Sequence, residues 1–331
     1  MFKLTMVFGI TDPRTKQALG EWAEIAPDLG LDPSQFRAKL IWQKDEPTRN
    51  HIVIRLRGPR VLILKRAFLR PPGDDPTQTI IALKNAFARL KPYPAAHAPE
   101  VLFASGAGDL VIMAEASGKT LDDHLRGGRA HAPLLKRTGT WLAAFHASSE
   151  TEERTYQPRF MVGHCERMAD EVEAGKTSVA DPERFITCCR MVREKAKSAS
   201  DRKTISATKH GDFNLRNIIL GPDGETGIDF KPLSNAPVGF DIARILMDYA
   251  ELLQPPDGLE PGCVLTAATI DAFFGGYDLV TRDDPAVGFL PFTQLLNDWR
   301  SIPVEAHQRS WRQAARYKTI VALARNGFGV T

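Results

Sequence analysis

The sequence predicts an α+β fold in which a small strand-rich region is followed by a larger helical region. Strand signals are concentrated in the first part of the chain and helical signals in the remainder, an order typical of α+β proteins. One hairpin with polar residues at its ends interrupts the helical region. Because 331 residues exceed what one ordinary hydrophobic core requires, we expect two lobes, residues 1–114 and 115–331.

The strand predictions depend on runs of β-branched and aliphatic residues that are bounded by turn residues. Gly58-Pro59, for example, separates two such runs and is typical of a turn. Five segments are predicted to be strands on this basis: Lys39–Trp42, His51–Leu56, Arg60–Lys65, Val101–Phe103 and Leu110–Met113. Among them, apolar residues recur at helical spacing from Thr77 to Leu90, which predicts an amphipathic helix.

Helical patterns dominate the chain after the last of these strands. Six helices are predicted: Leu121–Leu125, Leu134–Ala147, Pro182–Ala199, Ile242–Leu253, Thr269–Phe274 and Trp311–Ala324. Thr120 precedes two aspartates and is the predicted N-cap of the first helix. The run Ser117-Gly-Lys-Thr120 is similar to the end of a P-loop, but that motif needs a glycine where Met113 stands, so we exclude it.

Composition and charge indicate an ordinary globular protein of the cytoplasm. Hydrophobic residues make up 43% and charged residues 25%, and the net charge of +3 is too small to predict a nucleic-acid or membrane partner. The apolar start, Met1–Ile10, is short and has no cleavage site, so no signal peptide is expected. Four cysteines without bridge or metal spacing are expected to be reduced: Cys165, Cys188, Cys189 and Cys263.

The most informative stretch is His210-Gly-Asp-Phe-Asn-Leu-Arg-Asn217, which is followed by Gly227-Ile-Asp-Phe230. It spaces an aspartate, an asparagine five positions later and a second aspartate beyond a short hairpin. Phosphoryl transfer from ATP needs these groups, because a carboxylate orients the acceptor hydroxyl while an amide and a carboxylate hold Mg²⁺. The predicted hairpin, Ile218–Leu220 and Thr226–Asp229, would bring Asn217 and Asp229 to one end.

With the later run Gly239-Phe-Asp-Ile-Ala243, these motifs resemble those of the aminoglycoside phosphotransferase and choline kinase group. The members of this group are small-molecule kinases with a protein-kinase-like fold. The resemblance implies a small antiparallel sheet in the N-terminal lobe, a larger helical C-terminal lobe, and ATP and Mg²⁺ as cofactors.

The resemblance also implies roles for individual residues. Asp212 would be the catalytic carboxylate, and Asn217 and Asp229 would hold Mg²⁺. His210 and Asp241 would support the catalytic loop without taking part in the chemistry. The remaining candidates would bind the nucleotide: Lys65 the α- and β-phosphates, the hinge residues Ala114, Glu115 and Ala116 the adenine, and Asn214 and Arg216 the γ-phosphate. A surface ion pair is an equal alternative for Arg216.

Two features depart from the pattern of this group. No glutamate occurs between Lys65 and Glu100 to pair with the lysine, so either Asp74, Asp75 or Gln78 replaces it or the lysine is held otherwise. No glycine occurs between Gly30 and Gly58, so the loop at residues 43–50 cannot be a glycine-rich phosphate flap. Three of its residues are candidates to compensate: Lys44, Thr48 and Arg49.

We therefore predict a phosphotransferase that moves the γ-phosphate of ATP to a hydroxyl of a small molecule, such as a sugar or an amino alcohol. The alternative is a nucleotide-binding pseudokinase that acts as a sensor or scaffold. A protein kinase is disfavoured because Lys231-Pro232, and not glycine, follows Phe230. An aminoglycoside acceptor is disfavoured because a polycation favours an acidic pocket, whereas the C-terminal segment has one acid, Glu305, and six cations. These cations are Arg300, Arg309, Arg312, Arg316, Lys318 and Arg325.

Overall fold

The computed structural model of the protein describes residues 12–73, 75–255 and 258–330. The apolar start of the chain, Met1–Ile10, lies outside the described residues. Asp74, one of the three candidates for pairing with Lys65, also lies outside them.

Helices and strands follow the α+β order along the described residues. The α-helices are α1 Pro13–Ile25, α2 Pro76–Leu90, α3 Leu121–Arg126, α4 His131–Ala147, α5 Arg159–Glu173, α6 Pro182–Ala196, α7 Gly239–Leu252, α8 Ala267–Phe274, α9 Pro285–Arg300 and α10 Trp311–Phe328. The strands are β1 Arg37–Glu46, β2 Arg49–Arg57, β3 Val61–Leu69, β4 Ala96–His97, β5 Val101–Ala104, β6 Leu110–Ala114, β7 Lys119–Thr120, β8 Glu152–Thr155, β9 Lys203–Thr208, β10 Ile218–Leu220, β11 Glu225–Gly227 and β12 Asn235–Pro237.

An antiparallel five-stranded sheet, in the order β1-β2-β3-β6-β5, forms the N-terminal part of the fold. Residues alternate between its two faces, as the period of a strand requires. One face buries Ile54, Leu62 and Ile112 against Trp22 of α1. The other face carries Ile63 and Lys65, which are only partly buried. The sheet thus has one face in a core and one face available for a ligand.

The helices after the sheet pack around a second hydrophobic core, in which Trp141 of α4 is central. Its indole is fully buried, stacks on Phe145 and Phe213, and donates a hydrogen bond to the His97 carbonyl at 3.0 Å. The β10–β11 hairpin lies directly on this ring, because Gly227 has no side chain to separate them. Packing of the core therefore fixes the position of the hairpin.

The structure confirms all the predicted strands and helices, with shifts of a few residues at their ends. It also contains helices that the sequence analysis does not predict: α1, α5 and α9. For α1, the sequence Asp12-Pro13 ends the apolar start but also begins the helix, since Asp12 caps it and Pro13 occupies its first turn. In α9, Pro291 and Gly288 hide the helical pattern.

The division of the chain after Ala114 stays a prediction, although the five-stranded sheet ends at that residue. All four cysteines are free thiols. None of the helices in the described residues has both the length and the apolarity needed to span a membrane.

We expect Gly227→Ala to destabilise the protein by about 1–3 kcal/mol, because the added methyl group would overlap the Trp141 indole in a packed core. The matched control is Gly288→Ala in α9, where no atom outside the local helix backbone lies within 4 Å of the added methyl group. That variant should gain about 0.5–1 kcal/mol from the better helix propensity of alanine. The measurement is the free energy of unfolding in urea. Equal stabilities of the two variants would contradict the packing argument.

Candidate active site

The β10–β11 hairpin brings Asn217 and Asp229 together, as its spacing predicts. Ile218 pairs with Gly227, and the Ile228 N–H donates a hydrogen bond to the Asn217 carbonyl at 2.9 Å. The second strand ends at Gly227, two residues earlier than predicted, because Asp229 adopts a left-handed backbone conformation with φ of 60°. At this residue the chain leaves the strand, and the Asp229 carboxylate is turned towards the five-stranded sheet.

Lys65 meets Asp229 from that sheet in an ion pair. Its strand position, opposite Val53 and Val111, places the ammonium on the face that is not covered by α1. The Lys65 ammonium holds the pKa of the Asp229 carboxyl below its usual value and outweighs the opposing effect of burial. The lysine is therefore held by Asp229, one of the predicted metal ligands, and not by an acid of α2.

The two described candidates for pairing with Lys65 have other environments. Asp75 is the N-cap of α2 and accepts a hydrogen bond from the Thr77 N–H at 2.9 Å. Gln78 is exposed to solvent. Of the alternatives that the sequence left open, the structure thus shows the last, because Lys65 is held otherwise, by Asp229.

Asp212 is half-buried and is fixed from two sides. The Asn214 amide donates to its carboxylate at 3.1 Å, and the Asn217 amide donates to its backbone carbonyl at 2.8 Å. Arg244 of α7 lies 3.4 Å from the same carboxylate through its Nε. The two asparagines thus tie the predicted catalytic residue to the predicted metal site.

A buried network holds the backbone that precedes Asp212. The carboxylate of Asp241, which is 2% exposed, accepts hydrogen bonds from the N–H groups of His210 and Gly211 at 2.6 and 2.9 Å. His146 lies 3.2 Å from this carboxylate and 2.9 Å from the Tyr277 hydroxyl. Burial raises the pKa of Asp241, but the hydrogen bonds from His146 and from the Gly211 N–H outweigh it, so the pKa lies below its usual value.

His210 contacts the catalytic loop from within an aromatic cluster. Its Nδ1 accepts the Asp212 N–H at 3.4 Å, and its ring centroid lies 4.4 Å from that of Phe230. Burial lowers the pKa of this fully buried imidazole, so it is neutral. Both His210 and Asp241 thus contact the backbone around Asp212, and the supporting role expected of them stays a prediction.

The hinge residues have part of their hydrogen-bonding capacity occupied. The Ala114 N–H donates to the Glu100 carbonyl at 2.9 Å and the Glu115 N–H to the Val61 carbonyl at 3.1 Å. The Glu115 side chain forms an ion pair with Arg55. The two N–H groups are therefore used within the sheet, so adenine would have to meet the carbonyls of this segment or the Ala116 N–H.

Asn214 and Arg216 differ in their orientation. The Asn214 side chain is turned back into the loop, where its Oδ1 accepts the Arg216 N–H at 3.0 Å. The Arg216 side chain is exposed. The structure thus gives Asn214 a clear part in ordering the loop, whereas the contact of either residue with a γ-phosphate stays a prediction.

The sequence analysis did not place three helix residues at the site that form ion pairs beside Asp212: Arg244, Asp298 and Arg316. Arg244 lies 3.6 Å from Asp298, and Arg316 lies 3.4 Å from the same carboxylate and 2.6 Å from Glu251. Asp248 extends this network, since its carboxylate accepts the Leu215 N–H at 3.1 Å. Of these residues, Arg244 could have been found from the sequence, because it follows Asp241 by three residues and therefore lies on the same face of the helix.

Three of the six cations near the C-terminus have partners within the fold. Arg300 is paired with Glu171 at 2.7 Å, and Arg309 donates to the Pro303 carbonyl at 2.7 Å. Arg316 faces the acids described above. The positive charge counted along this segment is thus compensated in part, by Glu171 for Arg300 and by the buried acids for Arg316, and the preference against an aminoglycoside acceptor stays a prediction.

The residues at the hairpin end fit a magnesium ion. Mg²⁺ prefers hard oxygen ligands, takes few protein side chains and completes its shell with water and phosphate oxygens. The Asn217 amide nitrogen donates to the Asp212 carbonyl, so the amide oxygen is the atom that would bind a metal. Among the described residues there is no cluster of three or more His, Cys, Asp or Glu side chains suited to a metal held by protein alone.

Several solved structures that are similar to this chain are small-molecule kinases. A choline/ethanolamine kinase family protein from Mesorhizobium loti is similar at a TM-score of 0.57 and 15% identity, over 93% of this chain and 94% of that chain. A glucosamine kinase is similar at a TM-score of 0.55 and 15% identity, over 95% of this chain and 81% of that chain. A macrolide 2'-phosphotransferase from Brachybacterium faecium is similar at a TM-score of 0.53 and 14% identity, over 93% of this chain and 98% of that chain. No family model and no curated protein sequence matches the chain.

The protein thus has a two-lobe, protein-kinase-like fold. More particularly, this fold is the one found in the small-molecule kinases, as the motifs of the catalytic loop and hairpin indicated. The predicted fold class is confirmed, and the assignment of roles to the site residues stays a prediction.

Asp241→Asn should destabilise the protein by about 1–3 kcal/mol, because an amide has one acceptor oxygen fewer for the N–H groups of His210 and Gly211. Hydrogen exchange at these two amides should become faster than in the wild type. Asp278→Asn, at an exposed position near Tyr277, is the matched control and should change neither quantity. Unchanged exchange at both amides in the Asp241 variant would sink the idea that this carboxylate fixes the loop.

Proposed function

We propose that this protein is an ATP- and Mg²⁺-dependent phosphotransferase that transfers the γ-phosphate to a hydroxyl of a small molecule. The observation that carries this proposal is that Lys65 of the sheet meets Asp229 at the end of the hairpin, beside Asn217 and its contact with Asp212. These four groups are the ones that phosphoryl transfer requires, since its catalysis consists of positioning and charge stabilisation. The similarity in fold to known small-molecule kinases supports the same conclusion.

Each group has a distinct task in this proposal. Lys65 and Asp229 now neutralise each other, and ATP with its metal would separate them, with the ammonium on the phosphates and the carboxylate on the metal. Asn217 completes the metal site. When bound, Mg²⁺ neutralises charge on the phosphate oxygens. Asp212 accepts a hydrogen bond from the acceptor hydroxyl and takes its proton late in the transfer.

The acceptor in this proposal is a hydroxylated small metabolite such as a sugar or an amino alcohol. It would enter beside Asp212 on the side of Arg244, where α7, α9 and α10 meet. We place the activity in the cytoplasm, in keeping with four cysteines that are all free thiols.

Asp229→Ala should abolish stabilisation by ATP that depends on Mg²⁺. In the wild type, ATP at 100 times its dissociation constant should contribute about 2.7 kcal/mol, measured as a thermal shift with and without Mg²⁺. Asp223→Asn, an exposed position in the turn of the same hairpin, is the control and should retain the shift. If the wild type shows no shift at millimolar ATP, a role as a scaffold that does not use nucleotide would replace the proposal.

Asp212→Asn should lower kcat for phosphate transfer by about 10²–10⁴, because the amide cannot accept the hydroxyl proton. The dissociation constant for ATP with Mg²⁺ should stay within about threefold of the wild type, since Asp212 does not contact the proposed metal ligands through its carboxylate. Transfer of labelled γ-phosphate to a panel of sugars and amino alcohols gives the measurement. Equal turnover by variant and wild type would remove Asp212 from the mechanism.

A further inference from the structure

Helix α7 carries a stripe of polar residues on one face, although the helix is otherwise mostly apolar and buried. The stripe consists of Asp241, Arg244, Asp248 and Glu251, whose spacing of three, four and three positions places them on the same face. The three acids are 2%, 6% and 1% exposed, in that order. Because buried charges are costly unless they are paired, this stripe needs specific partners.

The stripe contacts the catalytic loop at three successive points. Asp241 accepts two backbone N–H groups just before Asp212. Arg244 lies 3.4 Å from the Asp212 carboxylate. Asp248 accepts the Leu215 N–H at 3.1 Å. One helix therefore holds the backbone on both sides of Asp212, and Arg244 is the residue of the stripe that reaches the carboxylate itself.

The two oxygens of the Asp212 carboxylate differ in their contacts. Oδ1 accepts the Asn214 amide at 3.1 Å and lies 3.4 Å from the Arg244 Nε. Among the residues that the structure describes, none donates a hydrogen bond to Oδ2. The Asp212 side chain is 32% exposed, so an acceptor could reach this oxygen. Oδ2 is therefore the atom left for the acceptor hydroxyl, and the partners of Oδ1 set its direction.

Arg244 lies between two carboxylates. Its Nε is 3.4 Å from Asp212, and its Nη1 is 3.6 Å from Asp298 of α9. At these distances the attraction is mainly Coulombic, and it is screened little because the Arg244 side chain is only 24% exposed. The position of the guanidinium, and with it the direction of the Asp212 carboxylate, thus depends on Asp298 as the second anchor.

Asp298 is in turn held from two other helix positions. The Gln294 amide donates to its Oδ2 at 2.9 Å, and the Arg316 Nη2 lies 3.4 Å from its Oδ1. Arg316 also donates to Glu251, at the far end of the stripe, at 2.7 Å. Burial raises the pKa of Asp298, and the charges of Arg244 and Arg316 oppose this effect. The network therefore runs from α7 through α10 and α9 and returns to Arg244.

We propose that Arg244 is a positioning residue for the Asp212 carboxylate, and that Asp298 holds Arg244 in that position. The guanidinium draws Oδ1 towards itself and thereby directs Oδ2 at the acceptor hydroxyl. The hydroxyl oxygen forms its bond to the γ-phosphorus, the bond from that phosphorus to the β-phosphate oxygen breaks, and the hydroxyl proton passes to Oδ2. Arg244 acts through Asp212 and transfers no proton. This inference rests on the proposed function, because it assigns a role within that reaction.

The test is a double-mutant cycle on the full chain, with kcat and KM measured for the sugar or amino alcohol that the wild type phosphorylates fastest. Arg244→Gln should lower kcat by about 10²-fold, the loss typical of misplacing a reacting group by about 1 Å. The acceptor KM should stay within about twofold of the wild type, since the contact acts on the transfer step and not on binding. The dissociation constant for ATP with Mg²⁺ should also be unchanged.

The second arm of the cycle separates positioning from a general loss of structure. Asp298→Asn should lower kcat about tenfold, because it weakens one of the two anchors of the guanidinium. In the double variant, kcat should equal that of Arg244→Gln within about twofold, because Asp298 acts only through Arg244. The control is Arg190→Gln on α6, which removes a cation that pairs with two acids of α5 and should change neither kcat nor KM.

The outcomes separate this inference from the proposed function. An unchanged kcat in Arg244→Gln would overturn the inference alone. A raised acceptor KM at unchanged kcat would also overturn it, because Arg244 would then bind the acceptor directly. Losses that multiply in the double variant would show that Asp298 does not act through Arg244 and would overturn it as well. Absence of transfer by the wild type to every member of the panel would overturn the proposed function and the inference together.

Thermal unfolding of each variant checks that it is folded at the assay temperature. If Arg244→Gln does not fold, Arg244→Lys takes its place in the cycle, because it keeps the positive charge beside Asp298. A lysine has one compact ammonium and lacks the separate N–H groups with which arginine contacts two carboxylates at once. The same loss of kcat at constant KM is therefore expected, and wild-type turnover by this variant would overturn the inference.

Discussion

The arrangement of the site depends on one buried carboxylate, that of Asp241 at the start of α7. It accepts two backbone N–H groups of the catalytic loop and a contact from His146, so the buried charge is well satisfied. Because leaving such a charge partly unpaired would be costly, few loop conformations are compatible with the folded core. The N-terminal turn of a helix also favours a negative charge at this position. Asp212 is therefore presented from a rigid backbone, as a group that orients an acceptor must be.

A second constraint, the packing of the hairpin, fixes the metal end of the site. Gly227 lies against the Trp141 indole, and the chain then enters the left-handed conformation at Asp229. This conformation is unfavourable for a residue other than glycine, and such residues occur where the surrounding structure requires them. The ion pair with Lys65 stabilises it and joins the sheet to the hairpin across 164 residues of sequence. The packing of Gly227 against Trp141 thus determines where Asp229 meets Lys65.

The elements and residues that local patterns encode could be predicted from the sequence, and those that depend on distant partners could not. The hairpin was predictable because strand propensity and a Gly221-Pro-Asp-Gly224 turn coincide. Helix α9 could not be predicted, since Pro291 and Gly288 lower its helix propensity. Tertiary packing overrides this low propensity in the folded protein. The contact of Arg244 with Asp298 joins two helices, and the pairing of Arg316 with three acids cancels a charge that the sequence alone counts as free.

The charges at the site have opposite signs on its two sides. The sheet contributes the Lys65 ammonium, whereas the helical side contributes the carboxylates of Asp212 and Asp229, with Arg244 beside Asp212. A triphosphate carries enough negative charge to satisfy the first side, but it would be repelled by the second unless a divalent cation lies between. A nucleotide bound as we propose would therefore need a divalent cation beside these carboxylates, and the Lys65–Asp229 ion pair would have to open to admit both.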